Sequence, residues 1–252
     1  MGIDDFADRD YPWPYSSMVT SLAALRPLAL SLVALLWLAA ASPASAGAIK
    51  GAVLYNGPPV TPKVLPVTID QYVCGSQKPG EDLVVSPKRG IRNAVVSIQT
   101  PPPGAKWEGA QKPVSLDQVG CVYAPRVVVV PVGGSVDFLN SDRLLHNLHS
   151  VSKENAPFNR TQPRGRTVSM SFTKPEIVRI DCDLHSWMRA WVVVAEHPFF
   201  AVTGADGEFT LDNVPPGRYT LQIWQESLGT VTREVVVPAS GEAAVTLEIG
   251  KK

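Results

Sequence analysis

A seven-residue stretch, CDLHSWM at positions 182–188, brings a thiol, an imidazole and a thioether close together in the chain. These groups belong to Cys182, His185 and Met188. The stretch lies between two runs with strand character, 177–180 and 191–194, so it predicts a loop that joins two strands. A loop of this kind can direct all three side chains at one centre, and we therefore interpret it as a candidate metal site.

Thiolate and thioether ligands together select soft metals, and copper above all. A fourth ligand must come from another part of the chain, and two upstream histidines, His146 and His149, are the candidates. Side chains alternate between the two faces of a strand, and residues 146 and 149 fall on opposite faces, so they cannot easily point at the same centre. Two His, one Cys and a weak axial Met form the ligand set of a blue-copper electron-transfer site.

No enzymatic constellation competes with this site. The sequence has no Gly-rich phosphate loop and no serine in a nucleophile elbow. A catalytic metal site needs an open coordination position, which the Met ligand would occupy here. We therefore expect a protein that is not an enzyme.

The composition favours a β fold. Hydrophobic residues make up 45% of the 252-residue chain, and 23 Pro and 19 Gly favour many turns over long helices. Past the N-terminus, no stretch shows a sustained apolar helical period, so we expect an all-β protein. Seven short strands between 114 and 194 are enough for a β-sandwich. The polar stretches 71–92 and 152–166 are expected to be exposed loops.

Residues 1–46 are expected to be a signal peptide. An apolar run at 28–41 precedes a small-residue cleavage site that ends at Ala46. Four Asp make residues 4–10 a poor start, so translation from Met18 fits a signal better; a retained N-terminal anchor is the alternative. Cleavage removes four Asp and two Arg and leaves 21 basic against 19 acidic residues. This near neutrality gives no indication of nucleic-acid binding, and we expect a periplasmic or otherwise exported protein with no membrane span in the mature chain.

Three cysteines in an exported chain suggest one disulfide and one free thiol. The economical arrangement pairs Cys74 with Cys121 and leaves Cys182 protected as a metal ligand. A different pairing with a buried spare thiol is the alternative.

The segment 114–196 resembles the cupredoxins, the blue copper proteins, and especially their amicyanin-like members. The resemblance is carried by Cys-x-x-His-x-x-Met at 182–188, by the WVVV run at 191–194 and by His146-Asn-Leu-His149. It implies a Greek-key β-sandwich in which His146, Cys182, His185 and Met188 bind one copper ion. Asn147 would then hydrogen-bond to the cysteine loop, and His149 would be a structural neighbour.

The same resemblance implies an electron carrier. In cupredoxins the second histidine ligand reaches the surface, which gives His185 the electron path, with Leu184 and Trp187 as an apolar collar for docking; simple core packing is the alternative for Trp187. The partner would be a redox protein such as a periplasmic dehydrogenase or a cytochrome. A copper-handling or storage protein, and a metal-free adhesion or assembly module, are the alternatives.

Residues from 199 onward resemble the carboxypeptidase-regulatory, transthyretin-like β-sandwich. The motifs are TGADGEFTL at 203–211 and VPPGRYTL at 214–221. The family's opening strands resemble 47–53 and 90–98, so we predict a discontinuous sandwich made of 47–111 and 198–252, with the cupredoxin domain (112–197) inserted in it. The alternative adds 47–111 to the cupredoxin sheet as an extension.

Overall fold

The computed structural model describes residues 47–109 and 111–250, and the predicted signal peptide lies outside them. The chain is all-β, as predicted. Within the described part no helix is long and apolar enough to cross a membrane. In chain order the elements are β1 (Gly47–Tyr55), β2 (Val64–Pro66), α1 (Gln71–Cys74), β3 (Gln77–Pro79), β4 (Val95–Ile98), β5 (Val114–Gln118), β6 (Tyr123–Ala124), β7 (Val127–Pro131), β8 (Ser135–Asn140), β9 (His146–Val151), β10 (Asn159–Gln162), β11 (Val168–Ser171), β12 (Glu176–Asp181), β13 (Arg189–Ala195), β14 (Phe200–Val202), β15 (Glu208–Val214), β16 (Gly217–Gln225), β17 (Gly229–Val237) and β18 (Glu242–Ile249).

The middle of the chain forms two facing sheets. One has the order β10-β9-β12-β13-β7, and the other the order β11-β8-β5-β6. On β8, Val136 and Phe138 are fully buried while their neighbours are half-exposed, which is the period-2 pattern of a strand with one face in the core. Leu148 of β9 and Ile180 of β12 belong to the same core. We call these two sheets the first sandwich.

A second sandwich is built from both ends of the described chain. β1 lies between β15 and β18, and β4 lies between β14 and β16, with β17 beside β16. Side chains of β1, β4, β15, β16 and β18 share one core, which includes Ile49, Val96, Leu211 and Leu247. These pairings are those that a discontinuous sandwich requires; the exact domain boundaries at 111 and 197 stay a prediction.

The two sandwiches meet through apolar strand faces. Val127 and Val193 of the first sandwich and Val95 of the second form a small separate core. The rings of Trp191 and Trp224 meet edge to face across it, with centroids 5.0 Å apart. This contact explains why β13 is apolar on both faces: one face fills the first core and the other meets the second sandwich.

The two predicted exposed loops contain structure. The stretch 152–166 includes β10, an edge strand that pairs with β9. The stretch 71–92 includes α1 and β3, and β3 pairs with β2. We call residues 64–79 the cap. Although the cap falls within the segment assigned to the second sandwich, its buried residues Val67 and Cys74 join the core of the first.

Candidate metal centre

The loop between β12 and β13 is closed by its own backbone. Met188 N–H donates to the carbonyl of His185 at 2.8 Å, and Cys182 N–H donates to the carbonyl of Met188 at 3.3 Å. Because β12 and β13 are paired as far as Asp181 and Arg189, the loop has little freedom to open. The three side chains that suggested a site therefore project from one tight, fixed turn.

Three of the predicted ligands converge. His146 Nδ1 lies 3.0 Å from His185 Nδ1, and Cys182 Sγ lies 3.6 Å from the same His185 atom. Both histidines are fully buried, and Cys182 is 3% exposed. His146 is the first residue of β9, directly after the loop that follows β8. The structure thus gathers two imidazoles and one free thiol from two separate segments at one buried point.

The outer nitrogen of each histidine is held by a carboxylate. His146 Nε2 lies 2.8 Å from Asp142 Oδ2, and His185 Nε2 lies 3.1 Å from Asp70 Oδ2. A carboxylate accepts hydrogen bonds, so each Nε2 carries the hydrogen and donates it. Both Nδ1 atoms then present lone pairs to each other across 3.0 Å, which is unfavourable unless a cation lies between them. The donor set therefore fits a metal ion.

Cys182 has surroundings that suit a ligand. Burial raises the pKa of its thiol, while the backbone N–H groups of Asn147, Leu184 and His185 act in the opposite direction. Hydrogen bonds of this kind favour the thiolate, which is the form that binds metals. Burial lowers the pKa of His146, against the opposing hydrogen bond to Asp142, so the imidazole stays neutral and available as a ligand.

Met188, the fourth predicted ligand, is buried. It is 1% exposed and belongs to the same core cluster as Cys182. A thioether is a soft and weak ligand, and its presence at such a site is characteristic of blue copper.

Asn147 and His149 hold the ligand loop from outside. Asn147 Oδ1 accepts the N–H of Asp183 at 2.7 Å, which is the hydrogen bond to the cysteine loop that the resemblance implied. His149 Nδ1 lies 2.8 Å from Asp183 Oδ1, and Asn159 donates to the other carboxylate oxygen at 2.8 Å. The His149 side chain is 41% exposed and points away from the centre. His146 and His149 therefore lie on opposite faces of β9, as expected from the sequence.

His185 differs from the expectation that it reaches the surface. Its side chain is fully buried, because the cap brings Asp70 against its outer nitrogen. Trp187 is half-buried; its indole N–H donates to the Cys121 carbonyl at 2.9 Å, and its ring lies 5.2 Å from the His185 ring. Of the predicted docking group only Leu184 is clearly exposed, at 42%.

The predicted disulfide lies behind the site. Cys74 of α1 is bonded to Cys121, and Cys182 is free and buried. A second grouping of Cys121, Asp142 and His146 has ligand-type atoms close together. The Cys121 sulfur is held in the disulfide, so this grouping supports His146 instead of forming another metal site.

Sequence reasoning missed the two carboxylates. Asp142 lies four residues before His146 in the loop that feeds β9. Asp70 lies 115 residues before His185, and no local pattern connects them. One indirect signal existed, because a Cys74–Cys121 disulfide must bring the residues near Cys74 onto the first sandwich.

A comparison with protein families agrees with the resemblance of the C-terminal part. The carboxypeptidase regulatory-like domain family matches residues 189–250, beginning nine residues before the predicted boundary at 198. No curated protein matches the chain.

Solved structures resemble part of the chain. A Cu-containing nitrite reductase from Thermus scotoductus SA-01 has 25% identity and a TM-score of 0.33, over 38% of this chain and 25% of that chain. A purple cupredoxin from Nitrosopumilus maritimus has 21% identity and a TM-score of 0.29, over 32% of this chain and 99% of that one. A reduced Cu(I) form of an amicyanin variant has 26% identity and a TM-score of 0.32, over 40% of this chain and 98% of that one. The chain is similar to these copper proteins over part of its length, and to the carboxypeptidase regulatory-like domain over residues 189–250.

Proposed function

We propose that this chain is an exported type 1 copper protein that carries single electrons between periplasmic redox partners. The observation that carries the proposal is the approach of the two Nδ1 atoms to 3.0 Å, with a free thiol 3.6 Å from one of them. Each Nε2 is committed to a carboxylate. The three donor atoms therefore have lone pairs directed at one buried point.

The donor types favour copper over zinc. Structural zinc sites take four strong Cys or His ligands in a tetrahedron. Here the chain supplies one thiolate, two imidazoles and the thioether of Met188, which is the combination typical of blue copper. His146, Cys182, His185 and Met188 would hold the ion.

The surroundings of the ligands suit one-electron transfer. A bound copper ion would supply a centre that accepts one electron from a reduced donor protein, as Cu(II) becomes Cu(I), and passes it to an acceptor. The chain's own contribution is to keep the ligands still: Asp142, Asp70 and Asn147 each fix a ligand or its loop. Because the histidines are fully buried, water is excluded from the centre.

The disulfide supports an oxidising compartment for this activity. Cys74–Cys121 would not persist in a reducing cytosol. The partner would be another redox protein, such as a dehydrogenase or a cytochrome, and four protein ligands would leave no position for a substrate.

The test is to reconstitute the mature protein with Cu(II) and record its visible absorption and EPR spectra. We expect an intense band from charge transfer between the Cys182 thiolate and copper, lost in Cys182→Ser and retained in the control Ser186→Ala, which alters an exposed residue of the same loop. A colourless copper protein, or colour that survives Cys182→Ser, would contradict the proposal.

Voltammetry separates an electron carrier from a copper-storage protein. A carrier gives a reversible one-electron couple, because its ligands stay in place in both oxidation states. Binding of Cu(I) alone without a reversible couple would indicate copper handling. Absence of copper from protein expressed in the periplasm would favour a metal-free module.

A further inference from the structure

The cap covers the side of His185 that faces away from the metal centre. Asp70, at the start of the cap's helical turn, brings Oδ2 to 3.1 Å from His185 Nε2. The His185 side chain has no exposed surface, whereas the Asp70 side chain keeps 35% of its own. Asp70 therefore stands between the imidazole and solvent.

The local structure of Asp70 shows that its carboxylate is directed to His185. It occupies the N-cap position of α1, where an Asp side chain normally accepts a hydrogen bond from the first turn. The Asp70 side chain makes no such bond. Its backbone adopts φ 51°, an uncommon left-handed conformation for a residue other than glycine. The Asp70 carboxylate thus contacts the distant His185 instead of a backbone N–H of its own helical turn.

The cap is fixed to the first sandwich at several points. Val67 and Cys74 are each 2% exposed, and Cys74 is bonded to Cys121. Lys78 Nζ donates to the Gly120 carbonyl of the first sandwich at 2.6 Å, and inside the cap Gln71 Nε2 donates to the Val67 carbonyl at 2.6 Å. These contacts lie on both sides of Asp70 in the sequence, so its position is well determined.

Trp187 forms the other wall around His185. Its ring is tilted at 54° to the imidazole with centroids 5.2 Å apart, and its N–H reaches the carbonyl of Cys121. Cys121 is also the disulfide partner of the cap. The Cys74–Cys121 disulfide therefore connects the cap to the residue that holds the Trp187 ring, and the cap and Trp187 together enclose His185.

We propose that Asp70 is a positioning residue for His185, and that the cap closes the imidazole edge through which cupredoxins are expected to exchange electrons. In its redox part this inference rests on the proposed copper function. A carboxylate that accepts the Nε2 hydrogen fixes the ring orientation and makes Nδ1 a stronger donor. The Asp70 carboxylate should therefore favour Cu(II) and lower the reduction midpoint of the copper. Because the cap covers His185, a redox partner would have to approach from another side or displace the cap.

The first experiment measures access to His185 without any metal. Metal-free protein is treated with diethyl pyrocarbonate, which modifies accessible imidazoles, and the modified peptides are identified by mass spectrometry. In the wild type we expect His185 to be protected and His149, with 41% of its side chain exposed, to react. Asp70→Ala should make His185 reactive with no change at His149.

Asp212→Asn is the matched control for this footprint, because Asp212 is an exposed residue of β15 in the second sandwich. Protection of His185 in this variant should equal that of the wild type. A His185 that is equally reactive in the wild type and in Asp70→Ala would overturn the proposal.

The second experiment measures the reduction midpoint of the copper-loaded protein by voltammetry. Asp70→Asn keeps the shape but removes the charge, so the midpoint should rise; Asp70→Glu should return it toward the wild-type value, and Asp212→Asn should leave it unchanged. A midpoint that does not move in Asp70→Asn would overturn the positioning role. If the wild type binds no copper, the proposed function fails, while the footprint still decides whether the cap encloses His185.

Discussion

Asp142 Oδ2 lies 2.8 Å from His146 Nε2 and accepts the backbone N–H of Cys121 at the same distance. Its other oxygen accepts the N–H of Gly120 at 2.7 Å. Asp142 is 7% exposed, and its carboxylate is fully occupied by these partners. It contacts His146 as Asp70 contacts His185. The Cys74–Cys121 disulfide joins the cap, which carries Asp70, to the turn whose Gly120 and Cys121 N–H groups hold Asp142.

Asp142→Asn should weaken copper binding. The amide can present its NH₂ group to His146 or to the backbone, so the orientation of the imidazole is no longer fixed. Loss of a partner of this kind typically costs about 10–100-fold in metal affinity. Competition with a copper chelator measures the loss. Asp137→Asn, at a half-buried position of β8 where the carboxylate accepts the Ser169 hydroxyl, is the control and should bind copper as the wild type does. Equal affinities for all three proteins would contradict the prediction.

Met188→Leu should keep the copper and raise its reduction midpoint. Leucine fills a similar volume, so the change in the free energy of unfolding should stay below about 1.5 kcal/mol. It removes the thioether, whose weak donation favours Cu(II). Voltammetry and urea unfolding measure the two effects. The control is Met170→Leu on β11, a methionine that packs against the same core. Its reduction midpoint should equal that of the wild type. If the midpoint of Met188→Leu also equals that of the wild type, Met188 is not a ligand.

Removing the disulfide should destabilise the protein and open the cap. Cys74 and Cys121 are separated by 47 residues. The chain-entropy treatment gives about 4 kcal/mol for a loop of this length. Cys74→Ser/Cys121→Ser should lose stability of this order in urea unfolding, and His185 should become reactive to diethyl pyrocarbonate. Chemical reduction of the wild type should reproduce both changes; a loss under about 1 kcal/mol would show that the cap is held by its other contacts.

The sequence predicted the grouping of His146, Cys182 and His185 better than it predicted the surroundings of these residues. Strand parity placed His146 and His149 on opposite sides of β9, because side-chain direction alternates in any strand. The fixed spacing of Cys182, His185 and Met188 belongs to one loop and is therefore local. Asp70 escaped prediction because its contact with His185 depends on how a polar segment folds over a distant sandwich. Such contacts leave no periodic pattern in the sequence.

The discontinuous second sandwich could be predicted from the sequence for a different reason. The C-terminal segment 201–249 offered too few strands for a closed core, and the N-terminal strands had suitable alternation. In the structure β1 is paired on both sides by C-terminal strands. β10 was missed because Asn159–Gln162 is polar, and an edge strand needs only backbone partners on one side.

Glu176 should make stability depend on pH in the acidic range. Burial by itself would raise its pKa, but hydrogen bonds from Ser152, Lys153 N–H and Asn155 outweigh this and lower the pKa to about 2. A group with a lowered pKa stabilises the fold above its ordinary value, here 4.5, and this contribution disappears as pH falls toward 2. Because the site is partly open to solvent, we expect a contribution of about 2 kcal/mol.

Glu176→Gln should therefore be less stable than the wild type at pH 7, and the difference should shrink at pH 3. Urea unfolding at the two pH values measures it. Glu154→Gln changes an exposed residue of the loop that Glu176 holds, and serves as the control with no pH-dependent difference. A difference for Glu176→Gln that is constant between pH 7 and pH 3 would contradict the assignment.

Arg126 and Glu226 should couple the unfolding of the two sandwiches. Arg126 precedes β7 in the first sandwich, and Glu226 follows β16 in the second. Their side chains form two hydrogen bonds, of 2.6 and 3.0 Å, and each is 6% exposed. Removing one partner of a buried pair leaves an uncompensated charge and costs about 3–5 kcal/mol.

Arg126→Met should lower the melting temperature strongly, and calorimetry should resolve two transitions where the wild type shows one. The double variant Arg126→Met/Glu226→Leu removes both charges, and apolar replacement of a buried pair is often close to neutral. It should therefore recover most of the lost stability. If the double variant is as unstable as Arg126→Met, the unpaired Glu226 charge is not the cause. The cost then arises from lost packing, from the Glu81 carboxylate 3.5 Å from Arg126, or from the Arg126 hydrogen bond to the Arg189 carbonyl.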